Sequence, residues 1–406
     1  MAALAVVLAI AILAHCSVAM GAAAAAAADP NTAATRNFTI ASPPSTPTTK
    51  GPVTYVFGDS MSDVGNNNYF PMSLAKSNYP WYGIDYPSRQ ATGRFTNGKT
   101  IGDYMADKLG VPSPPPFLSL SRAGKDVLGG VNFASGGAGI LNETGVYFVQ
   151  YLSFDEQITC FETVKKAMIA KIGKEAAEAT VNAALFQIGL GSNDYINNFL
   201  QPFMADGTNY THDQFIRLLI ATLDRQLKAR SSNQHCPRTA HAVRRAHLIP
   251  LASAAARIRS TDGKCLGKIN AYAVQFNAAA KKLLDGMNAK LPGAQMALAD
   301  CYSVVMELIE HPEKHGFTTA HTSCCNVDTE IGGLCLPNTK PCSDRRAFVF
   351  WDAYHTSDAA NKEIADRLWG DMMSAEHGGA SAPPRAGASG PAPAAAPSPS
   401  PSQDDY

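Results

Sequence analysis

Short apolar runs and longer stretches of helical period divide the chain between Val53 and Trp369. Val53 to Phe57 is apolar, β-branched and aromatic, stops at Gly58-Asp59-Ser60, and predicts a buried strand. Val131 to Phe133, Ala184 to Leu190 and Gln295 to Ala299 predict further strands. Within Asp155 to Ile172, Ile158, Phe161, Val164, Met168 and Ile172 recur at helical spacing. Phe215, Leu218, Leu219, Leu223 and Leu227 stripe a helix over Asp213 to Ala229. A third helix runs from Cys265 to about Lys290, with Ile269, Ala273, Phe276, Ala280, Leu284 and Met287 inward and Pro292-Gly293 as its stop. Thr100 to Leu109 predicts a helix closed off by Pro114-Pro115-Pro116. Ser357-Asp358 caps a last helix expected to end near Trp369. Tyr69 to Arg94, rich in Tyr, Pro and Gly, reads as a long irregular loop of the kind that lines a site.

Candidate chemistry sits where these runs end. Ser60 follows the first strand, at the carboxyl edge where open α/β sheets collect their active sites. Gly58 permits a tight turn, and a helix beginning at Asp59-Ser60 offers free N–H groups to developing negative charge. Gly, Asp and Ser are also common turn residues, so a second constellation matters. In FVFWDAYHTSDAAN, Asp352 precedes His355 by three residues, close enough for the carboxylate to orient an imidazole that accepts the Ser60 proton. Ser135-Gly136-Gly137-Ala138-Gly139 follows the second strand; no GK[ST] and no G-x-G-x-x-G register accompanies it, so a nucleotide site is not expected. Gly191-Ser192-Asn193-Asp194 follows the strand at Ala184 to Leu190. An Asn there is an Asn-Asp turn residue or an uncharged donor to an oxyanion.

FGDSMSDVGNNN, VNFASGGAGI, GSNDY and WDAYHTSDAAN resemble, in order, the blocks of the plant GDSL esterase/lipase family of SGNH hydrolases, a likeness covering most of residues 52–369. It implies a flavodoxin-like three-layer α/β/α sandwich with a central parallel sheet. It implies Ser60 as nucleophile, His355 as base and Asp352 as its partner. The oxyanion hole would comprise the Ser60 N–H, the Gly137 N–H and the Asn193 amide. His-Thr-Ser stands where many members have His-Pro-Thr, a change outside the chemistry. The expected activity is hydrolysis of a small-molecule or polymeric carboxylic ester (lipid, cutin-type or acetylated wall polysaccharide) without metal or organic cofactor. A non-catalytic lipid- or glycan-binding protein and an acyltransferase of the same fold are the alternatives.

Composition narrows the setting. The 406 residues carry a formal net charge of 0, with 17% charged and 46% hydrophobic residues, giving no argument for nucleic acid or an anionic membrane surface. Ala2 to Ala14 is apolar and too short to span a bilayer, and small residues follow it, as in a signal peptide cleaved near Ala19. Residues 20–51 form a flexible lead-in, 52–374 the hydrolase domain, and 375–406 an Ala/Pro/Ser-rich disordered tail without a lipid-anchor signal. The expected location is therefore secreted, extracellular or in the cell wall, with no stable membrane anchor; oligomeric state is not specified. Sequons at Asn37, Asn142 and Asn209 agree with this, and the eight cysteines beyond Cys16 should then be oxidised. Cys324, Cys325, Cys335 and Cys342 lack paired C-x-x-C spacing and read as disulfides rather than a zinc site, within a tied loop at His321 to Cys342.

The resemblance fails at Ser231 to Ile258, where four Arg and three His replace the expected apolar run. A central parallel strand should be nearly continuous Val, Ile and Leu. The best candidate, His247-Leu248-Ile249-Pro250-Leu251, is broken by a proline. The expectation is a sheet without its fourth strand, neighbouring strands unpaired along one edge and Cys265 deprived of its partner unless Cys236 substitutes, as out-of-frame translation or a misassigned splice would produce, with genuine divergence of the stretch as the alternative.

Overall fold

The computed structural model describes residues 51–120, 127–229, 246–249, 267–291, 294–325 and 333–377. Strand β1 (Thr54–Gly58) lies in a five-stranded sheet with β2 (Val131–Asn132), β3 (Leu185–Gly189), β4 (Ala246–Ile249) and β5 (Met296–Leu298). All neighbours are parallel, in the order β2-β1-β3-β4-β5. This is the flavodoxin order. The chain leaves β1 for one edge and returns to β3 on the other side of β1, opening a crevice at the carboxyl ends of these strands.

Two apolar clusters make the outer layers. One packs Tyr55, Phe57 and Phe186 of the sheet against α2 (Phe154–Ile172), α3 (Lys174–Ala183), α4 (His212–Ala229) and α5 (Gly267–Lys290). The other gathers α1 (Ile101–Leu109), α6 (Cys301–Glu310) and α7 (Asp358–His377) with β6 (Thr319–Ser323) and β7 (Phe348–Phe350), which form a separate two-stranded parallel sheet. The inward stripes expected for α2, α4 and α5 are largely buried: Ile158, Phe161, Val164 and Met168, then Phe215, Leu219, Leu223 and Leu227, then all six expected positions of α5. Capping explains the starts of α1 and α2. Thr100 with Asp103, and Ser153 with Glu156, each form a reciprocal capping box.

Four expectations need correction. The fourth strand is present: Ala246 to Ile249 pairs with Phe186 to Gly189 on one side and, through Ala246 to Leu248, with Met296 to Leu298 on the other. A ladder is made by backbone groups, and the four residues Ala246 to Ile249 suffice to make it. The last helix does not end near Trp369. It runs through Gly370 to His377, so residues 375–377 belong to it and not to the tail, and Met372 packs against the second cluster. Cys160 and Cys301 are not oxidised but free; they belong to different clusters, Cys160 to the first and Cys301 to the second. The loop expected over His321 to Cys342 begins as strand β6. Expectations for residues 1–50, Asn37, Cys236, Cys265 and the tail beyond 377 lie outside the described residues.

Candidate active site

Three loops meet at the carboxyl edge of the sheet. At the end of β1, the Gly58 N–H donates to Gln157 Oε1 at 3.0 Å while Gln157 Nε2 returns a bond to the Gly58 carbonyl at 2.9 Å, so α2 fixes the turn. A Cβ on Gly58 would stand 2.8 Å from the Gly189 carbonyl oxygen, which is why this turn needs glycine. Ser60 then projects into a cavity of about 360 Å³ whose walls include Met61, Phe95, Phe148, Ile196, Phe203 and Leu334.

His355 meets Ser60 there. Its Nε2 is 2.9 Å from Ser60 Oγ, and its Nδ1 is 2.8 Å from both carboxylate oxygens of Asp352. Asp352 Oδ1 also accepts the N–H groups of Tyr354 and His355, each at 2.8 Å, and Oδ2 accepts the phenol of Tyr82 at 2.7 Å. Burial pushes this carboxyl's pKa up, but the facing imidazole and these donors outweigh it and hold the pKa below the usual carboxylate value. The acceptor Asp352 is therefore a buried anion with every neighbour oriented toward its charge. Tyr82 is itself fixed, its oxygen accepting the Cys335 N–H at 2.9 Å. Disulfides Cys325–Cys335 and Cys324–Cys342 close this region; the four cysteines are oxidised as expected, in a pairing the sequence left open. They pack with Tyr82 and Trp351 in a small apolar cluster of their own.

The expected oxyanion donors converge on the same cavity, which Ser60, Gly137 and Asn193 all line. The Gly136 peptide is clamped at both ends: its N–H donates to Asp63 Oδ2 at 3.1 Å and its carbonyl accepts Asn67 Nδ2 at 2.9 Å. Gly137 follows at φ +92°, where a Cβ would lie 2.6 Å from the Phe148 ring. Neither the Ser60 nor the Gly137 N–H donates to another group among the described residues. Asn193 Oδ1 accepts Asn197 Nδ2 at 2.5 Å and Asn193 Nδ2 donates to the Ala138 carbonyl at 2.9 Å, which fixes the amide's orientation and leaves its second N–H hydrogen unused.

Three buried carboxyls brace these loops. Asp63 Oδ1 accepts the N–H groups of Gly65 and Asn66, each at 2.7 Å. Asp194 accepts those of Ile140 and Leu141 and the hydroxyl of Thr144. Desolvation raises both to about 6 against the lowering pull of those donors, and raises Asp59, beside Ser60, to about 7. The sequence reading passed over Asp63, Asn67, Gln157 and Asn197. A run of Asp and Asn directly behind a strand is a usable signal for such a clamp, since short polar side chains there satisfy loop backbone. Tyr82, inside an irregular loop, carried no such mark. Asn142 and Asn209 are exposed, and no cluster of metal-ligating side chains occurs among the described residues.

A serine–histidine–carboxylate chain at the edge of a flavodoxin-ordered sheet is the build of a hydrolase. Residues 55–368 match the family GDSL-like Lipase/Acylhydrolase, and the chain belongs to it. Three GDSL esterase/lipases of Arabidopsis thaliana are similar to it at 51, 41 and 38% identity, covering 82, 82 and 78% of this chain and 92, 91 and 84% of their own lengths. The protein is thus a GDSL-type carboxylic ester hydrolase.

Proposed function

We propose that the enzyme cleaves esters through an acyl-enzyme on Ser60, with His355 as general base and acid and Asp352 as the group that orients and charges it. The hydrogen-bond chain from Ser60 through His355 to Asp352 carries this reading. Nε2 of His355 takes the Ser60 proton as Oγ attacks the carbonyl carbon. The oxyanion is held by the Ser60 and Gly137 N–H groups and the second N–H of the Asn193 amide, the one that does not donate to Ala138. The imidazolium then protonates the departing alcohol, and water, deprotonated in turn by His355, releases the acid. The apolar walls at Phe95, Phe148, Ile196 and Phe203 favour an apolar acyl group. Secretion, the companion proposal, is supported by the two disulfides, by the exposed sequons at Asn142 and Asn209, and by the apolar start of the sequence. No helix among the described residues is long and apolar enough to cross a membrane.

Labelling with a fluorophosphonate probe, followed by turnover of esters of graded acyl length, tests the reading. Labelling of the wild type and none of Ser60→Ala is expected. A wild-type protein that binds lipid but never labels would instead be the non-catalytic binder.

A further inference from the structure

The mouth of the cavity is surrounded by apolar side chains that serve no core. Among the described residues, eight large hydrophobics are exposed, and five of them are Met72, Leu74, Val146, Val149 and Phe203, at 60, 65, 49, 53 and 66% exposure. Two hydrogen bonds tie their loops together: Leu74 N–H donates to the Phe148 carbonyl at 3.0 Å, and Met72 N–H to the side-chain Gln150 Oε1 at 2.8 Å. The Tyr147 ring bridges to Phe203 at 5.5 Å and to Phe148 at 4.7 Å. Tyr147, Phe148 and Phe203 also line the cavity, so the outer surface and the substrate site are one apolar surface. The three contributing stretches, Tyr69 to Ala75, Thr144 to Leu152 and Tyr195 to Ala205, hold no Asp, Glu, Lys or Arg. Val149 is held at φ +71°, a conformation that β-branched side chains resist, and its side chain stands in solvent instead of in the core.

We propose that this rim is a docking surface for an aggregated, neutral, long-chain ester phase, onto which the enzyme adsorbs with the cavity mouth facing the substrate. The inference rests on the ester-hydrolase reading above and names its substrate class. Continuity with the cavity argues for substrate as the occupant, because an acyl chain can pass from the docked phase to Ser60 without crossing water. Among the described residues, the rim carries a single cation, Lys76, whose Nζ reaches the Pro71 carbonyl at 3.5 Å, and not the cluster of Lys and Arg on which attachment to an anionic bilayer draws, which argues for a neutral phase. Isolated exposed hydrophobics need no explanation, whereas a set gathered around an active-site mouth does.

The test uses Met72, Leu74 and Val149, none of which lines the cavity. Adsorption to a triacylglycerol emulsion is measured by flotation with Ser60→Ala protein, so that it does not depend on turnover, alone and combined with Leu74→Asp and Val149→Asn. Hydrolysis of the emulsion and of a soluble short-chain ester, kept below its solubility limit, is measured with the same rim changes on the active enzyme. Adsorption and emulsion hydrolysis should fall roughly thirtyfold or more, from two lost apolar contacts, while kcat/KM on the soluble ester stays within about twofold. A Met72→Ser, Leu74→Ser variant, which introduces no charge, should fall by about tenfold on the emulsion. Unchanged adsorption in both variants overturns the proposal, as does an equal loss on the soluble ester, which would place these residues in the site itself. Tighter adsorption to anionic than to zwitterionic vesicles or to the emulsion also overturns it. A wild type that adsorbs but hydrolyses neither substrate refutes the hydrolase reading instead.

Discussion

Replacing Tyr82 by Phe deletes one oxygen and disturbs two buried partners. Asp352 Oδ2 loses a donor at 2.7 Å, and the Cys335 N–H loses its acceptor at 2.9 Å. A hydrogen bond to a buried carboxylate contributes ~1.5–3 kcal/mol, and an orphaned buried N–H costs ~1–3 kcal/mol; relaxation recovers part of this, so a stability loss of about 3 kcal/mol is expected. Asp352 keeps its bonds from Tyr354, His355 N–H and His355 Nδ1, so the imidazole remains aimed and kcat should drop about tenfold with KM little changed. The Asp352 pKa, held low in the folded protein, should rise because one of the groups that lowers it is gone. A carboxyl with a depressed folded pKa stabilises the fold above its unfolded pKa and loses that contribution as pH falls through the folded pKa. In the variant this loss therefore begins at a higher pH. Urea unfolding at neutral and acidic pH, with kcat/KM profiles on a soluble ester, reads both effects. Wild-type stability together with an unmoved acid limb would show that the phenol does not support Asp352.

Ser60→Ala should abolish ester hydrolysis while changing the melting temperature by no more than about 2 °C, since one partly exposed hydroxyl is removed; residual turnover above the background rate would refute its role. Asn193→Ala should lower kcat roughly a hundredfold with KM retained, the usual effect of one oxyanion donor; a raised KM with unchanged kcat would make Asn193 a binding residue. Gly137→Ala should destabilise the fold and depress kcat, because its φ of +92° and the nearby Phe148 ring resist a Cβ; wild-type behaviour in both assays counts against the turn geometry. Asp59, Asp63 and Asp194, raised to about 7, 6 and 6, contribute stability that is full below pH 4 and fades as pH rises through those values. Asp59→Asn should accordingly make the melting temperature fall less between pH 5 and pH 8 than it does in the wild type, and an identical fall would remove Asp59 from this account.

The site's positions were legible in the sequence where chemistry coincides with an element's end. Ser60 and Asn193 follow strands of continuous apolar sequence, and Asp352 and His355 share one loop, so neighbouring residues announce both. The support behind Asp352 was not legible. Tyr82 reaches Asp352 across 270 residues, and nothing in a Tyr- and Pro-rich loop distinguishes it from Tyr79. Strand β4 departs from the expectation because pairing does not require apolar side chains: the register with Phe186 to Gly189 is met by backbone groups that every residue except proline supplies. Helix α7 runs past the expected end near Trp369, since a glycine inside a helix costs only about 1 kcal/mol and Met372 packs against the second cluster.

Ser60 and His355, the proposed nucleophile and base, meet across 295 residues of sequence. During synthesis, β1, β2 and β3 emerge with Ser60, Gly137 and Asn193, long before β7 and the His355 loop. Until those last elements dock, the serine has nothing to take its proton. On the proposed mechanism, a chain whose His355 loop has not docked is inert toward esters, and the docking of that loop is what arms it.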